Sequence, residues 1–218
     1  MKSDYTHISV ILDRSGSMES IRDDIIGGFN AFVQEQQQQP GTATLTLVQF
    51  DAQDPYEIVH QFKHIQAIPT LTRETYVPRS GTPLLDALGR GINDLESTIA
   101  GMGKEESPSK VVVVIITDGQ ENSSLEFRKD QIVKMIKERS DKDDWQFLFL
   151  SADLAAIGDA MSYGIRADAA LLFDKSRVGT AAAYASLSAQ ISDYRAGKKK
   201  KMGFEPGDRK HPDDLKQI

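Results

Sequence analysis

The sequence predicts an α/β fold, a doubly wound, mainly parallel sheet with helices on both faces. Three observations carry this prediction. Short apolar runs alternate with longer segments of helical periodicity along most of the chain. One run, Val111-Val-Val-Val-Ile-Ile116, is apolar at every position, as a central strand buried on both faces should be. The length of 218 residues suits one large domain, which at that size buries roughly 70% of the surface its unfolded chain exposes.

Each element can be justified in order. Ile8-Ser-Val-Ile-Leu12 reads as the first strand and stops at Asp13. A helix follows from about Ser20 to Gln38: Ser20 with Asp23 resembles a capping box, and Ile21, Ile25, Phe29 and Phe32 recur at helical spacing. Gly27-Gly28 costs helix propensity and so suggests close backbone packing. Pro40-Gly41 ends the segment. Thr44 to Phe50 alternates as a strand, and Tyr56 to Phe62 is a second strand-like run. The link Asp51-Ala-Gln-Asp-Pro55 is too short for a helical crossover, so these two strands pair antiparallel.

The next helix begins near Thr82-Pro83, with Thr as cap and Pro at the first helical position. Its apolar face is Leu84, Leu85, Leu88, Ile92 and Leu95. Val111 to Ile116 is the central strand and stops at Thr117-Asp118-Gly119. The alternation then repeats: a helix from about Phe127 to Arg139, a strand at Gln146 to Leu150, and a helix near Leu154 to Tyr163. A short strand at Ala170 to Phe173 and a last helix near Val178 to Arg195 complete the domain, which is expected to span 1–196. Beyond it, the run Lys198 to Lys201, with Pro, Gly and mixed charge, predicts a basic, flexible tail over 197–218.

Composition narrows the chemistry. With no cysteine, disulfides and thiolate metal sites are excluded, and function must rest on oxygen and nitrogen groups. No apolar run approaches the ~20 residues that span a bilayer, and the start, Met1-Lys-Ser-Asp-Tyr-Thr-His7, carries no signal-peptide pattern. The expectation is a soluble, cytoplasmic protein that uses no membrane. A net charge of −6 argues against general nucleic-acid binding, and the four-lysine run amid acids reads as a solubilising feature.

The functional signal lies at the ends of two strands, Asp13 and Asp118. In open α/β sheets, ligand sites form at the carboxyl ends of strands where neighbouring connections leave in opposite directions. Two carboxylates converging there repel unless a positive charge sits between them, and a divalent cation supplies it. Asp13-Arg-Ser-Gly-Ser17 places oxygen side chains at alternate positions, so in an extended loop Asp13, Ser15 and Ser17 face one ion. Gly16 gives that loop freedom to curl, and Thr82 adds a hydroxyl at a helix start. Hard oxygen ligands with two formal charges suit Mg²⁺, with Mn²⁺ or Ca²⁺ as alternatives, rather than Zn²⁺. Neutral hydroxyls leave the ion Lewis-acidic, with positions open to an outside carboxylate.

Asp13-x-Ser-x-Ser17, then Thr82, then Asp118-Gly119, resembles the metal-ion-dependent adhesion site (MIDAS) of von Willebrand factor A (VWA) domains, including integrin inserted domains. The resemblance covers roughly Tyr5 to Arg195. It implies a Rossmann-like sheet of six strands in the order 3-2-1-4-5-6, with one antiparallel edge strand. It also implies that the serines and threonine contact the metal, that the aspartates do so directly or through water, and that a partner's Asp or Glu completes the shell. Small stand-alone A-domain proteins of bacteria and phages, some among tellurium-resistance gene products, are the nearest flavour. Arg14, Met18, Glu19, Gln120, Glu121 and Asn122 are expected at a partner-facing rim, by loop placement. Asp51, at the same end of the sheet, reads as a turn residue. His60 and His64 lie in and just past a strand, not on one helical face, and do not make a zinc pair.

The reading that follows is a non-catalytic, metal-dependent protein-binding module, with no catalytic residues. Its partner could be an ATPase or kinase subunit. The rival is a Mg²⁺-dependent phosphoryl-transfer or hydrolytic enzyme using the same metal. Against the rival, the chain lacks an Asp-x-Asp pair at the first strand end, a Gly-x-x-x-x-Gly-Lys loop and a Gly-x-Ser-x-Gly elbow.

Overall fold

The computed structural model describes residues 2–208. Its six strands are β1 (Lys2–Asp13), β2 (Thr42–Phe50), β3 (Glu57–His64), β4 (Pro108–Thr117), β5 (Gln146–Ser151) and β6 (Ala170–Leu172). The five helices are α1 (Arg22–Gln37), α2 (Leu84–Gly101), α3 (Lys129–Asp143), α4 (Leu154–Ser162) and α5 (Arg177–Arg195). The sheet order is β3-β2-β1-β4-β5-β6, and every pairing is parallel except β2 with β3. The expected order and the antiparallel edge are both present.

The chain forms these elements for identifiable reasons. β4 is buried without interruption from Val111 to Thr117, because helices cover both its faces. Helix α1 packs against α5, and α2 against α3. Gly28 explains part of the first pairing: a Cβ there would sit 2.2 Å from the Tyr184 ring of α5, so only glycine admits that ring. Gly27 beside it faces open space, so the close packing expected of the pair belongs to Gly28 alone. At the α1–α5 interface the buried Gln36 amide donates to Ser188 and Ser192 while Arg195 donates to the Gln36 carbonyls, which satisfies a polar cluster inside the seam.

β1 extends well ahead of the apolar run. Residues Tyr5 to His7 are polar or amphipathic but buried, with Tyr5 and His7 both meeting the Thr44 hydroxyl at 2.8 Å. Alternation of apolar residues does not reveal such a strand start. The capping box expected at Ser20 is not formed. A 3-10 turn over Gly16–Ile21 precedes α1, and the Ser20 hydroxyl donates to the Ser17 carbonyl instead.

The tail expectation needs correction as far as the described residues reach. Met202 and Phe204 are buried in the core cluster. The Met202 amide donates to Gln146 Oε1 at 3.2 Å, the Phe204 amide to the Asp168 carbonyl at 2.6 Å, and Ser186 Oγ to Asp208 at 2.7 Å. Two apolar side chains set two residues apart after the lysine run are enough to dock the segment beside β5 and α5. Residues 209–218 of that expected tail lie outside the described residues. Among the described residues, no helix is long and apolar enough to cross a membrane.

Candidate metal centre

Strands β1 and β4 are neighbours with Leu12 level with Ile116, so Asp13 ends its strand beside Thr117, one residue before Asp118. Both aspartates are buried, at 0% and 2% exposure. Asp13 Oδ1 accepts from the Ser15 amide at 2.6 Å, and Oδ2 from the Thr117 hydroxyl at 2.6 Å. The Tyr76 hydroxyl donates to the Asp13 carbonyl at 2.6 Å and fixes the strand end from below. Burial pushes the Asp13 carboxyl up to about 7. Hydrogen bonds from Thr117 and Ser15 work against that rise, and the Asp118 charge adds to it. Two acids held this way need positive charge between or beside them.

Ser15 and Ser17 bring their hydroxyl oxygens to 3.1 Å of each other, and Ser17 Oγ donates to Asp118 Oδ1 at 2.5 Å. Their convergence has a different cause from the one the spacing suggested. Ser15 is extended, but the 3-10 turn that begins at Gly16 folds Ser17 back over the strand ends. Nor does Gly16 adopt a left-handed conformation. Its role is close approach: its amide donates to the Ser80 carbonyl at 2.7 Å, and a Cβ would lie 2.6 Å from the Arg79 carbonyl oxygen.

Thr82 is brought to the same end of the sheet. Its amide donates to Asn122 Oδ1 at 2.8 Å, and its carbonyl accepts from the Asn122 amide, which ties it to the loop after Asp118. Thr82 does not cap α2, whose first turn makes no side-chain cap of its own. The exposed amides are met instead from the β4–α3 loop, by Glu121 on Leu85 at 2.9 Å and by Ser124 on Asp86 at 3.1 Å. Asp86 returns the contact by accepting from the amides of Leu125, Glu126 and Phe127 at 2.8–2.9 Å.

The rim expectation divides. Glu19, Gln120 and Asn122 are exposed, although Asn122 also holds Thr82. Met18 is fully buried in the core and faces no partner. Arg14 is buried too, because its guanidinium turns sideways to Asp51 at 2.9 Å, Gln49 at 3.1 Å and Glu57 at 2.5 Å. Glu121 is spent on α2 and on the amides of Ser123 and Ser124. These three belong to the scaffold, since a loop position alone does not tell which way a side chain turns.

Sequence reasoning missed the groups that brace the site. Asp51 is more than a turn residue: its side chain is fully buried and takes Arg14 Nε and the Nε and Nη2 of Arg79 on Oδ2, at 2.6–2.9 Å. Burial alone would raise its carboxyl, but Arg79, the Gln53 amide and Arg14 hold it below the ordinary range. Thr117, in the Thr-Asp-Gly stop, and the solitary Tyr76 carried no pattern that marked them. Lys175 was also unmarked. Its ammonium reaches Asp118 Oδ2 at 2.9 Å as an ion pair outside hydrogen-bond alignment, and that oxygen has no hydrogen-bond donor.

The donor set fits a hard divalent cation: two carboxylates and clustered hydroxyls, all oxygen. Among the described residues there is no cluster of three or more His, Cys, Asp or Glu.

No protein-family model and no curated protein matches the chain. Solved structures do. The pilus adhesin SpaC from Lactobacillus rhamnosus GG, in an open conformation, superposes with a TM-score of 0.63 at 14% identity over 89% of this chain and 31% of that one. A von Willebrand factor type A protein from Catenulispora acidiphila gives 0.57 at 13% identity, over 86% and 42% of the two chains. Proximal thread matrix protein 1 from the mussel byssus, with a zinc-occupied MIDAS motif, gives 0.57 at 12% identity, over 86% and 46%. The chain thus spans less than half the length of each. Sheet order, antiparallel edge and these superpositions agree on one conclusion: this chain has the fold of von Willebrand factor A domains.

Proposed function

We propose that the chain is a non-catalytic binding module in which Mg²⁺, held by Asp13, Ser15, Ser17, Thr82 and Asp118, is completed by an Asp or Glu of a partner protein. The observation that carries this reading is a pair of buried carboxylates on adjacent strand ends, with the exposed residue Ser17 above them donating its hydroxyl to Asp118. Bound there, a dication would neutralise both acids, and the neutral hydroxyls would leave it charge to spend on an incoming carboxylate. Adhesin and byssal-matrix neighbours of the same fold, one with zinc at this motif, support the reading. Glu19, Gln120 and Asn122 remain as the proposed polar rim. Among the described residues, four of the five large exposed apolar side chains, Val77, Leu125, Leu154 and Val178, lie in loops or helix starts rather than in the sheet, where a partner could use them. The proposed setting is the cytoplasm, in keeping with the absence of cysteine, with an ATPase or kinase subunit as one partner class.

Calorimetry with Mg²⁺, Mn²⁺, Ca²⁺ and Zn²⁺ tests the site directly. Saturable uptake of one ion by the wild type, lost in Asp118→Ala, is the expected result; no uptake of any ion at millimolar concentration would overturn the reading. A pull-down with Mg²⁺ against EDTA then identifies the partner, whose capture should disappear in EDTA. The phosphoryl-transfer rival draws support from the Lys175 ammonium beside Asp118, a group suited to phosphoryl oxygens. Metal-dependent turnover of a phosphatase substrate panel, abolished by Asp13→Ala, would favour it.

A further inference from the structure

One cation already stands at this site. Lys175 Nζ lies 2.9 Å from Asp118 Oδ2, and the Asp118 side chain is wholly buried while that of Lys175 is 42% exposed. The two oxygens of Asp118 are treated differently. Oδ1 receives the Ser17 hydroxyl, whereas Oδ2 has no hydrogen-bond donor and is compensated by the ammonium charge. A buried carboxylate oxygen left without a donor is costly, so this contact answers a need that the rest of the pocket does not meet.

Lys175 lies between β6 and α5, in a link whose backbone is pinned on both sides. The Phe173 amide donates to the Ser151 carbonyl at 2.9 Å, and the Ser176 amide to the Asp174 carbonyl at 2.7 Å. Ser176 caps α5 by accepting from the Gly179 amide at 3.1 Å. Gly179 approaches so closely that a Cβ would lie 2.6 Å from the Asp174 carbonyl oxygen. The backbone is therefore held, and the lysine side chain, long, unbranched and partly in water, is the movable part.

We propose that Lys175 is a tethered competitor of the divalent ion: its ammonium holds the place of positive charge at Asp118, and metal binding requires it to swing out into solvent. This inference rests on the metal-binding reading above. An ammonium neutralises one of the two buried acids and a dication neutralises both, so the ion wins once its concentration is high enough. The ammonium and the dication repel each other at contact distance, so the two do not share Asp118. The consequence is a threshold. The domain keeps its strand ends together without metal, and it takes up the ion only above a concentration set by the lysine.

The test compares the full chain with Lys175→Gln, Lys175→Met and Lys175→Arg, by Mg²⁺ and Mn²⁺ calorimetry and by thermal unfolding with and without Mg²⁺. Removing the charge should tighten Mg²⁺ binding about tenfold or more, while Lys175→Arg keeps it weak. Metal-free Lys175→Gln should melt below the wild type, and its gain in Tm on adding Mg²⁺ should be larger. Unchanged or weaker Mg²⁺ affinity in both uncharged variants, beside a wild type that binds, would overturn this inference and leave the metal site standing. Uptake by neither the wild type nor any variant would instead overturn the metal-binding reading, and the competitor with it. The melting curves show whether each variant is folded before its affinity is read.

Discussion

At the scale of single residues, the site depends on groups that touch the aspartates rather than on the motif alone. Thr117 is the clearest example. Its hydroxyl is the donor to Asp13 Oδ2, at 2.6 Å and out of solvent. Thr117→Val keeps the shape and removes the donor, which should cost about 1–3 kcal/mol because a buried carboxylate oxygen loses its partner. Urea unfolding should show a lower midpoint at unchanged slope; a midpoint equal to the wild type would mean that water replaces the hydroxyl without cost. The five motif residues were legible because Asp, Ser and Thr recur at a recognisable spacing. Lys175, Tyr76 and Asp51 were not. Each reaches the site from a segment remote in sequence, and a single Lys, Tyr or turn Asp has no local pattern to betray it.

At the scale of elements, the seam between α1 and α5 separates two adjacent glycines. Gly28→Ala would drive a methyl group into the Tyr184 ring and should destabilise the domain by about 1–3 kcal/mol, as overpacking does. Gly27→Ala meets open space inside the same helix and should stabilise it by about 0.5–1 kcal/mol. Opposite shifts in Tm for neighbouring substitutions would confirm the seam, and equal shifts would contradict it. Most elements were readable within a few residues, because apolar periodicity reports which face is buried. The exceptions are instructive. The early residues of β1 are polar yet buried, and Met202 and Phe204 dock after a lysine run that suggests solvent. In both places, burial is decided by neighbours distant in the chain.

For the molecule as a whole, His7 links stability to pH. It lies in β1, with no exposure, stacked on Phe62 at 3.7 Å between ring centroids, and its Nε2 has no partner. Burial lowers its pKa to about 3 from the ordinary 6.5. Below pH 6.5 the unfolded chain takes up a proton that the folded chain refuses, so unfolding is increasingly favoured until the folded imidazole titrates near 3. The loss approaches 1.36 kcal/mol per pH unit, or about 2–3 kcal/mol between pH 6.5 and 4.5. The Asp13 carboxyl, raised by burial to about 7, takes up a proton on folding over the same range and opposes the His7 loss in both proteins. Denaturant unfolding should therefore show the wild type losing stability on acidification relative to His7→Phe, which keeps an aromatic ring on Phe62. Parallel profiles would show that other groups carry the dependence.

By itself the sequence determined the fold class, the positions of the strands and helices, and the oxygen-only chemistry of the motif. These follow from local periodicity, from strand ends marked by Asp, and from a composition without cysteine. Only the tertiary structure decided which side chains gather at the strand ends and which face the core. Arg14, Met18 and Glu121 turned inward or sideways, and a lysine remote from the motif arrived at Asp118. The physical reason is that burial and charge pairing are properties of three-dimensional neighbourhoods. The chain encodes them through contacts between distant segments, and no local spacing records them.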